Sequence, residues 1–222
     1  MIVAIDGPAG AGKSSVAKRV ATDLGFHYLD TGAMYRAVAF RAIATGASLD
    51  DEVAVARIAE EDPIEFGYEP GESLPSRVYI AGEDVSRAIR TPGIDAAVSP
   101  VAAMPAVRHA MVGQQRDIAR CGNTVVEGRD IGTTVFPDAE LKVFITADPE
   151  VRARRRAEQN LGRDMGADFE TVYRAILGRD KADTERAVAP LAMAQDAVEV
   201  DTTHLNFDEV VAAVVALVER RR

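Results

Sequence analysis

The run Gly7-Pro8-Ala9-Gly10-Ala11-Gly12-Lys13-Ser14 fits the pattern G-x-x-x-x-G-K-[ST] of a phosphate-binding loop. Ile2-Val3-Ala4-Ile5-Asp6, an apolar run of strand length, precedes it. Residues 15–24 follow, with Val16, Val20 and Leu24 spaced for one helical face. Strand, glycine-rich turn and helix therefore come in the order that the motif needs. The glycines let the backbone curl so that its N–H groups point inward at phosphate oxygens. The start of the following helix adds the positive end of its dipole. Lys13 is placed to reach the β- and γ-phosphates of a nucleoside triphosphate, and the Ser14 hydroxyl to ligate Mg²⁺.

The rest of the chain reads as alternating strands and helices. Short strands are predicted at residues 26–30, 123–127, 141–146 and 197–201. Helices are predicted at about 33–45, from the Ser48 cap to about 60, over 94–121 with breaks near Pro100 and Pro105, from Pro149 onward, from about 169 to 186, and over 207–222. Strands separated by helices imply a parallel sheet with helices on both faces. Residues 63–92 differ in composition: prolines, glycines and short alternating runs predict small antiparallel strands, with a hairpin at Ala81-Gly82. That stretch reads as a β-rich insertion in an α/β chain.

Net charge is −9 over 222 residues, which argues against a nucleic-acid-coating surface. Affinity for phosphate must then come from local arginines, which outnumber lysines 22 to 4. One cysteine, Cys121, excludes an internal disulfide. No signal peptide or membrane span is read, and the cytoplasm is the expected compartment. The three histidines lie outside any motif and read as structural or surface residues.

A phosphate loop alone does not separate kinase, GTPase and ATPase. Asp180-Lys181-Ala182-Asp183 is a poor match to the guanine signature N-K-x-D. No acidic run at a strand end offers a metal partner, so Ser14 is expected to be the only direct protein ligand of Mg²⁺, with waters completing the shell. A second phosphate site should lie beyond the carboxyl ends of strands, where Arg36 and Arg129 stand. Arg152, Arg154, Arg155 and Arg156 form a further group, ahead of a segment bracketed by Gly162 and Gly166 that suits a lid. Arg179, Asp183 and Arg186 share one helical face, either as an ion-pair ladder or as ligands.

Five segments together resemble bacterial cytidylate kinases: GPAGAGKSS from Gly7, LDTGAMYR from Leu29, GEDVSRAIR from Gly82, EGRDIGTTVFP from Glu127 and RAVAPL from Arg186. The resemblance implies a three-layer α/β core of the P-loop kinase type with a five-stranded parallel sheet. Core parts at residues 1–62 and 123–222 would enclose a β-rich, monophosphate-binding insertion at 63–92 with a helical flank to about 122, and a short helical lid would lie at about 152–168. It implies a monomer that transfers the γ-phosphoryl group of ATP to CMP or dCMP with Mg²⁺. It assigns Gly7, Pro8, Ala9, Gly10, Ala11, Gly12, Lys13, Ser14 and Ser15 to ATP. Ser99, Arg108, Asp130 and Arg186 would meet cytosine, and Arg179 and Asp183 the sugar. Thr31, Tyr35, Arg36 and Arg129 would surround the acceptor phosphate, with Arg155 and Arg156 as lid arginines. Thr31 stands where some members carry serine, which keeps the hydroxyl. A kinase for another small acceptor, such as UMP or a sugar, and a module using ATP as a switch are the competing readings.

Overall fold

The computed structural model describes residues 1–222 except 70, 71, 73, 162–165 and 167. Most of the segment expected to form the lid tip therefore lies outside the described residues. In chain order the elements are β1 (Ile2–Asp6), α1 (Lys13–Leu24), β2 (His27–Asp30), α2 (Thr31–Ala44), α3 (Glu52–Glu61), β3 (Ile64–Tyr68), β4 (Pro75–Ile80), β5 (Glu83–Asp84), α4 (Pro92–Ala103), α5 (Pro105–Ala119), β6 (Thr124–Glu127), β7 (Leu141–Thr146), α6 (Pro149–Leu161), α7 (Phe169–Glu185), β8 (Val198–Asp201) and α8 (Phe207–Glu219). A 3₁₀ turn spans Ala88–Arg90, and a single π-helical turn spans Ile131–Val135.

The main sheet has five parallel strands in the order β2-β6-β1-β7-β8. Parallel strands covered on both faces must be apolar throughout. Val3, Ala4, Ile5, Val125, Val126, Leu141, Val143 and Ile145 are accordingly all buried. Register sets Val3 against Leu141 and Asp6 against Phe144, then Val143 against Val198 and Thr146 against Asp201. β7 and β8 thus end level, and β1 ends two residues earlier, at Asp6 opposite Phe144.

By contact the chain forms two compact units, Met1–Val20 with Glu127–Arg222, and Ala21–Val126. The second holds the antiparallel sheet β3-β4-β5 expected from composition. Its hairpin between β4 and β5 turns on Ala81 and Gly82, with φ of 49° and 77°. Two successive left-handed residues are what a two-residue hairpin of the right twist requires.

Two local expectations are corrected. Pro100 does not break α4, which runs through it to Ala103. Ile94, Ala97, Val98 and Val101 repeat at helical spacing and are all buried, so packing holds the helix across one missing donor. Asp51, not Ser48, caps α3: its carboxylate accepts from Ala54 N at 3.1 Å, whereas Ser48 Oγ only closes a turn onto Asp50 N.

The phosphate loop leaves β1 at Gly7, pressed against β7. A Cβ on Gly7 would lie 2.0 Å from the Ile145 carbonyl oxygen, and its φ of 144° is one that L residues rarely adopt. Both atoms belong to main chains of the sheet and its exit, so neither can yield. Gly7→Ala is expected to lose at least about 3 kcal/mol of stability in urea unfolding.

Candidate active site

In the first unit the site grows from the end of β1. Asp6 is buried, and its two carboxylate oxygens accept from the backbone N–H groups of Ile131 and Gly132 at 2.8 and 2.7 Å. Burial pushes the Asp6 carboxyl up from 3.8 to about 6. The two amides and Lys13 pull the other way, and neighbouring Asp130 adds to the rise. This carboxylate fixes the residue that follows Asp130 and so aims the Gly128–Gly132 turn.

Lys13, the first residue of α1, is 5% exposed, and its Nζ donates back across the loop to Pro8 O at 2.7 Å. Burial drives its ammonium well below the usual lysine range, Arg129 adds to this, and Glu127 and Asp6 oppose it. A lysine in this state favours an added negative charge beside it, which is the condition for binding a phosphate. Ser14 Oγ donates to Glu127 Oε2 at 2.8 Å. A strand-end carboxylate therefore does stand beside the Ser14 hydroxyl, where none was expected; Glu127 closes β6 after Val125 and Val126. Hydroxyl and carboxylate oxygens side by side suit a hard cation such as Mg²⁺. No group of three or more metal-ligating side chains occurs among the described residues, so water would complete such a shell.

Two ion pairs extend the site. Arg129 Nε donates to Asp183 Oδ2 at 2.8 Å, and Arg179 Nε approaches the same oxygen at 4.0 Å. Arg186 lies one residue past α7 in extended backbone and donates to Asp130 Oδ1 at 3.1 Å, with both side chains 7% exposed. Its Nε donates to Ala189 O at 2.6 Å. Arg179, Asp183 and Arg186 therefore do not form a simple ladder along one helix. Asp183 and Arg186 are instead paired with Arg129 and Asp130 of the turn after β6.

In the second unit the N-terminus of α2 carries the constellation. Asp30 caps the helix by accepting from Ala33 N at 2.8 Å, and it also pairs with Arg36 at 3.2 Å and Arg90 at 3.4 Å. Thr31 and Tyr35 are buried beside them. The Arg108 guanidinium lies over the Tyr35 ring at 5.7 Å and donates to Ala102 O at 3.2 Å. Ser99 is half-buried on α4.

The α6 arginines separate by environment. Arg155 is engaged by Thr202 Oγ1, Thr202 O and Leu205 O, and Arg156 donates to Gln159 Oε1 at 2.9 Å. Arg154 is paired with Glu150. Arg152 alone of the four is fully buried, and its guanidinium reaches the phosphate loop at Ala9 O, 2.8 Å away. Sequence reasoning passed over Asp6, Asp30, Arg90, Glu127, Arg152 and Asp180. Asp6, Asp30 and Glu127 shared a legible signal: each is an acidic residue at the carboxyl end of a buried strand.

A family model for cytidylate kinase matches residues 3–220. The chain belongs to the cytidylate kinase family. A cytidylate kinase of Geobacillus kaustophilus is 48% identical over 219 residues, covering 99% of this chain and 96% of that one. A cytidylate kinase of Streptomyces avermitilis is 48% identical over 224 residues, covering 100% and 94%. Among solved structures, an uncharacterised protein of Eubacterium ventriosum shares the fold with a TM-score of 0.50 and 12% identity, covering 99% of this chain and 98% of that one.

Asp6 makes stability depend on pH with a definite sign. Folded, it keeps its proton to about pH 6; unfolded, it releases it near 3.8. The folded state binds more protons between these values, so this residue's contribution falls as pH rises through that window. Relative to Asp6→Asn, wild type should lose about 2 kcal/mol between pH 4 and pH 7, read as the difference in unfolding free energy. A pH-independent difference would mean that Asp6 does not titrate in this range.

Proposed function

We propose that this protein transfers the γ-phosphoryl group of ATP to CMP or dCMP, giving ADP and CDP or dCDP. The observation that carries the proposal is the end-to-end family match together with the buried pair of Arg186 and Asp130 at the turn after β6. An ionised carboxylate is acceptor-only. Paired with Arg186, Asp130 would take a hydrogen bond from the 4-amino group of cytosine and face the 4-carbonyl of uracil with repulsion. Arg108 would donate to the ring acceptors of cytosine, and Ser99 would add a hydroxyl that serves either way. Arg179 and Asp183 are assigned to the sugar, and Thr31, Tyr35, Arg36 and Arg129 to the acceptor phosphate. Arg90 joins that last set because it shares Asp30 with Arg36. Residues 63–92 are assigned to the monophosphate side.

Phosphoryl transfer through a loose transition state needs alignment and positive charge more than a strong base. Lys13 and the residue 7–15 backbone would hold the β- and γ-phosphates of ATP. Mg²⁺ would be held by Ser14, with Glu127 orienting the same hydroxyl. Held there, the ion would supply positive charge against the negative charge that develops on the transferring phosphoryl group. Each arginine assigned to the acceptor is now paired with a carboxylate, Arg36 with Asp30 and Arg129 with Asp183. An incoming phosphate can therefore share a guanidinium already held in place. Arg155 and Arg156 are assigned to the transferring group, which for Arg155 requires release from Thr202. The chain is proposed to act as a cytoplasmic monomer. No helix among the described residues is long and apolar enough to cross a membrane.

An ADP-release assay across CMP, dCMP, UMP and sugar acceptors tests the activity. Turnover should follow CMP and dCMP; slow turnover indifferent to the acceptor would mark a nucleotide switch instead. Lys13→Ala should keep the fold and lower turnover at least about a hundredfold, the scale of one preorganised contact to developing charge. Asp130→Asn should narrow the CMP-over-UMP ratio of kcat/KM at least about tenfold, or about 1.4 kcal/mol, with the loss falling on CMP. Equal losses on both acceptors would assign Asp130 to architecture.

A further inference from the structure

The phosphate loop is gripped from outside at one residue. Arg152 donates to Ala9 O at 2.8 Å, and Ala9 N–H donates to Asp180 Oδ1 at 3.2 Å. Arg152 and Asp180 close the ring with a contact of 2.6 Å from guanidinium NH1 to Asp180 Oδ2. A fourth bond, from Arg152 Nε to Ala147 O at 2.9 Å, fixes the fork to the end of β7. Both backbone polar groups of Ala9 are thus held by side chains from α6 and α7. The next residue is pressed by the same two helices: a Cβ on Gly10 would lie 3.2 Å from Ile176 Cδ1 and 3.3 Å from Arg152 Cβ.

A loop with glycine at positions 7, 10 and 12 carries a large conformational entropy when free. Its amides bind phosphate well only if they already converge. A buried guanidinium is a rigid, planar donor, and with a carboxylate it forms a strong charge-assisted pair. Buried ion pairs of this kind add little net stability, but they select one geometry. Three residues along α7 from Asp180, Asp183 holds Arg129. One turn of α7 therefore fixes both the loop and the arginine of the turn after β6.

We propose that Arg152 and Asp180 act as a clamp that preorganises the phosphate loop for the triphosphate of ATP. They are positioning residues and do not meet the reacting atoms. The inference rests on the reading of residues 7–15 as the ATP site. Wild-type turnover with ATP and CMP tests that reading separately, and ADP binding by calorimetry reports on the clamp whichever acceptor the protein uses.

The test compares Arg152→Ala, Asp180→Ala and the double variant, each checked for folding by circular dichroism. The KM for ATP and the Kd for ADP should rise at least about tenfold in each, with the KM for CMP changing less than about twofold. The double variant should be no worse than the worse single one, since the two side chains act as a unit. Amide exchange over residues 7–15 should quicken in the variants without ligand. A parallel rise in both KM values, additive losses, or an unchanged KM for ATP in a folded variant would overturn the clamp. Should Arg152→Ala fail to fold, Asp180→Asn decides, because it keeps an acceptor for Ala9 and removes only the charge facing Arg152. It should raise the KM for ATP at least about threefold and leave that for CMP alone. No change for ATP in that variant would equally overturn the proposal.

Discussion

The carboxylate of Asp6 has no water to turn to, so the two amides it accepts must stay where they are. That single interaction ties the strand feeding the phosphate loop to the turn that follows β6. Its consequences run in both directions along the chain. Forward of Asp6, Gly7 passes so close to Ile145 O that no side chain fits, and the loop is launched at one angle. Beyond β6, Asp130 is presented by a segment whose next two amides are already taken. Glu127, just before that turn, reaches Ser14 at the start of α1 and closes the circuit. The loop, the Ser14–Glu127 pair and the Asp130 carboxylate are therefore one connected piece of backbone and side chain.

Arginine does most of the remaining work in a chain whose net charge is negative. Arg36 and Arg90 share Asp30, Arg129 and Arg179 share Asp183, and Arg186 meets Asp130. Buried pairs such as Arg186 with Asp130 repay little of their desolvation cost, so their worth lies in fixing direction. A planar fork held at one edge keeps its other edge aimed, which a flexible ammonium does not do. Inside the phosphate loop the charge is instead a compact, desolvated lysine, Lys13.

The sequence made the sheet strands, the phosphate loop and the antiparallel insertion legible because each has a local signal: apolar runs, a fixed glycine spacing, proline-rich punctuation. It marked Arg129 by its place at a strand end and left Asp183 and Arg186 as ladder or ligands, but Asp130 was legible only through resemblance, and none of their pairings was, since the partners lie 54 or more residues apart. Arg152 and Asp180 were invisible for the same reason. Arg152 looked like one of four helix arginines, and nothing local says which of them turns inward. Asp180 was read against a guanine signature, while its real partners are Ala9 and Arg152, far away in sequence. Pro100 shows the opposite error, a strong local rule overridden by buried neighbours on the same face of α4.

The π-helical turn after Asp130 is explained by what surrounds it. With the N–H groups of Ile131 and Gly132 turned to Asp6, the first donors free to close a helical turn are those of Thr134 and Val135, and both bond to Asp130 O, at 2.9 and 3.2 Å. Phe136 N then bonds to Ile131 O at 2.7 Å, five residues back, which widens the turn. A wider turn pushes its inner side toward β7, where Lys142 is buried and paired with Asp196. At Gly132 a Cβ would lie 3.0 Å from Lys142 Cδ, so glycine is what lets the widened turn rest on that stem. The position of Asp130 is thus set from below by a lysine stem, from behind by Asp6 and from in front by Arg186. A carboxylate on backbone fixed in this way, with one oxygen met by Arg186, has little room to swing, and such a group discriminates a hydrogen-bond donor from an acceptor.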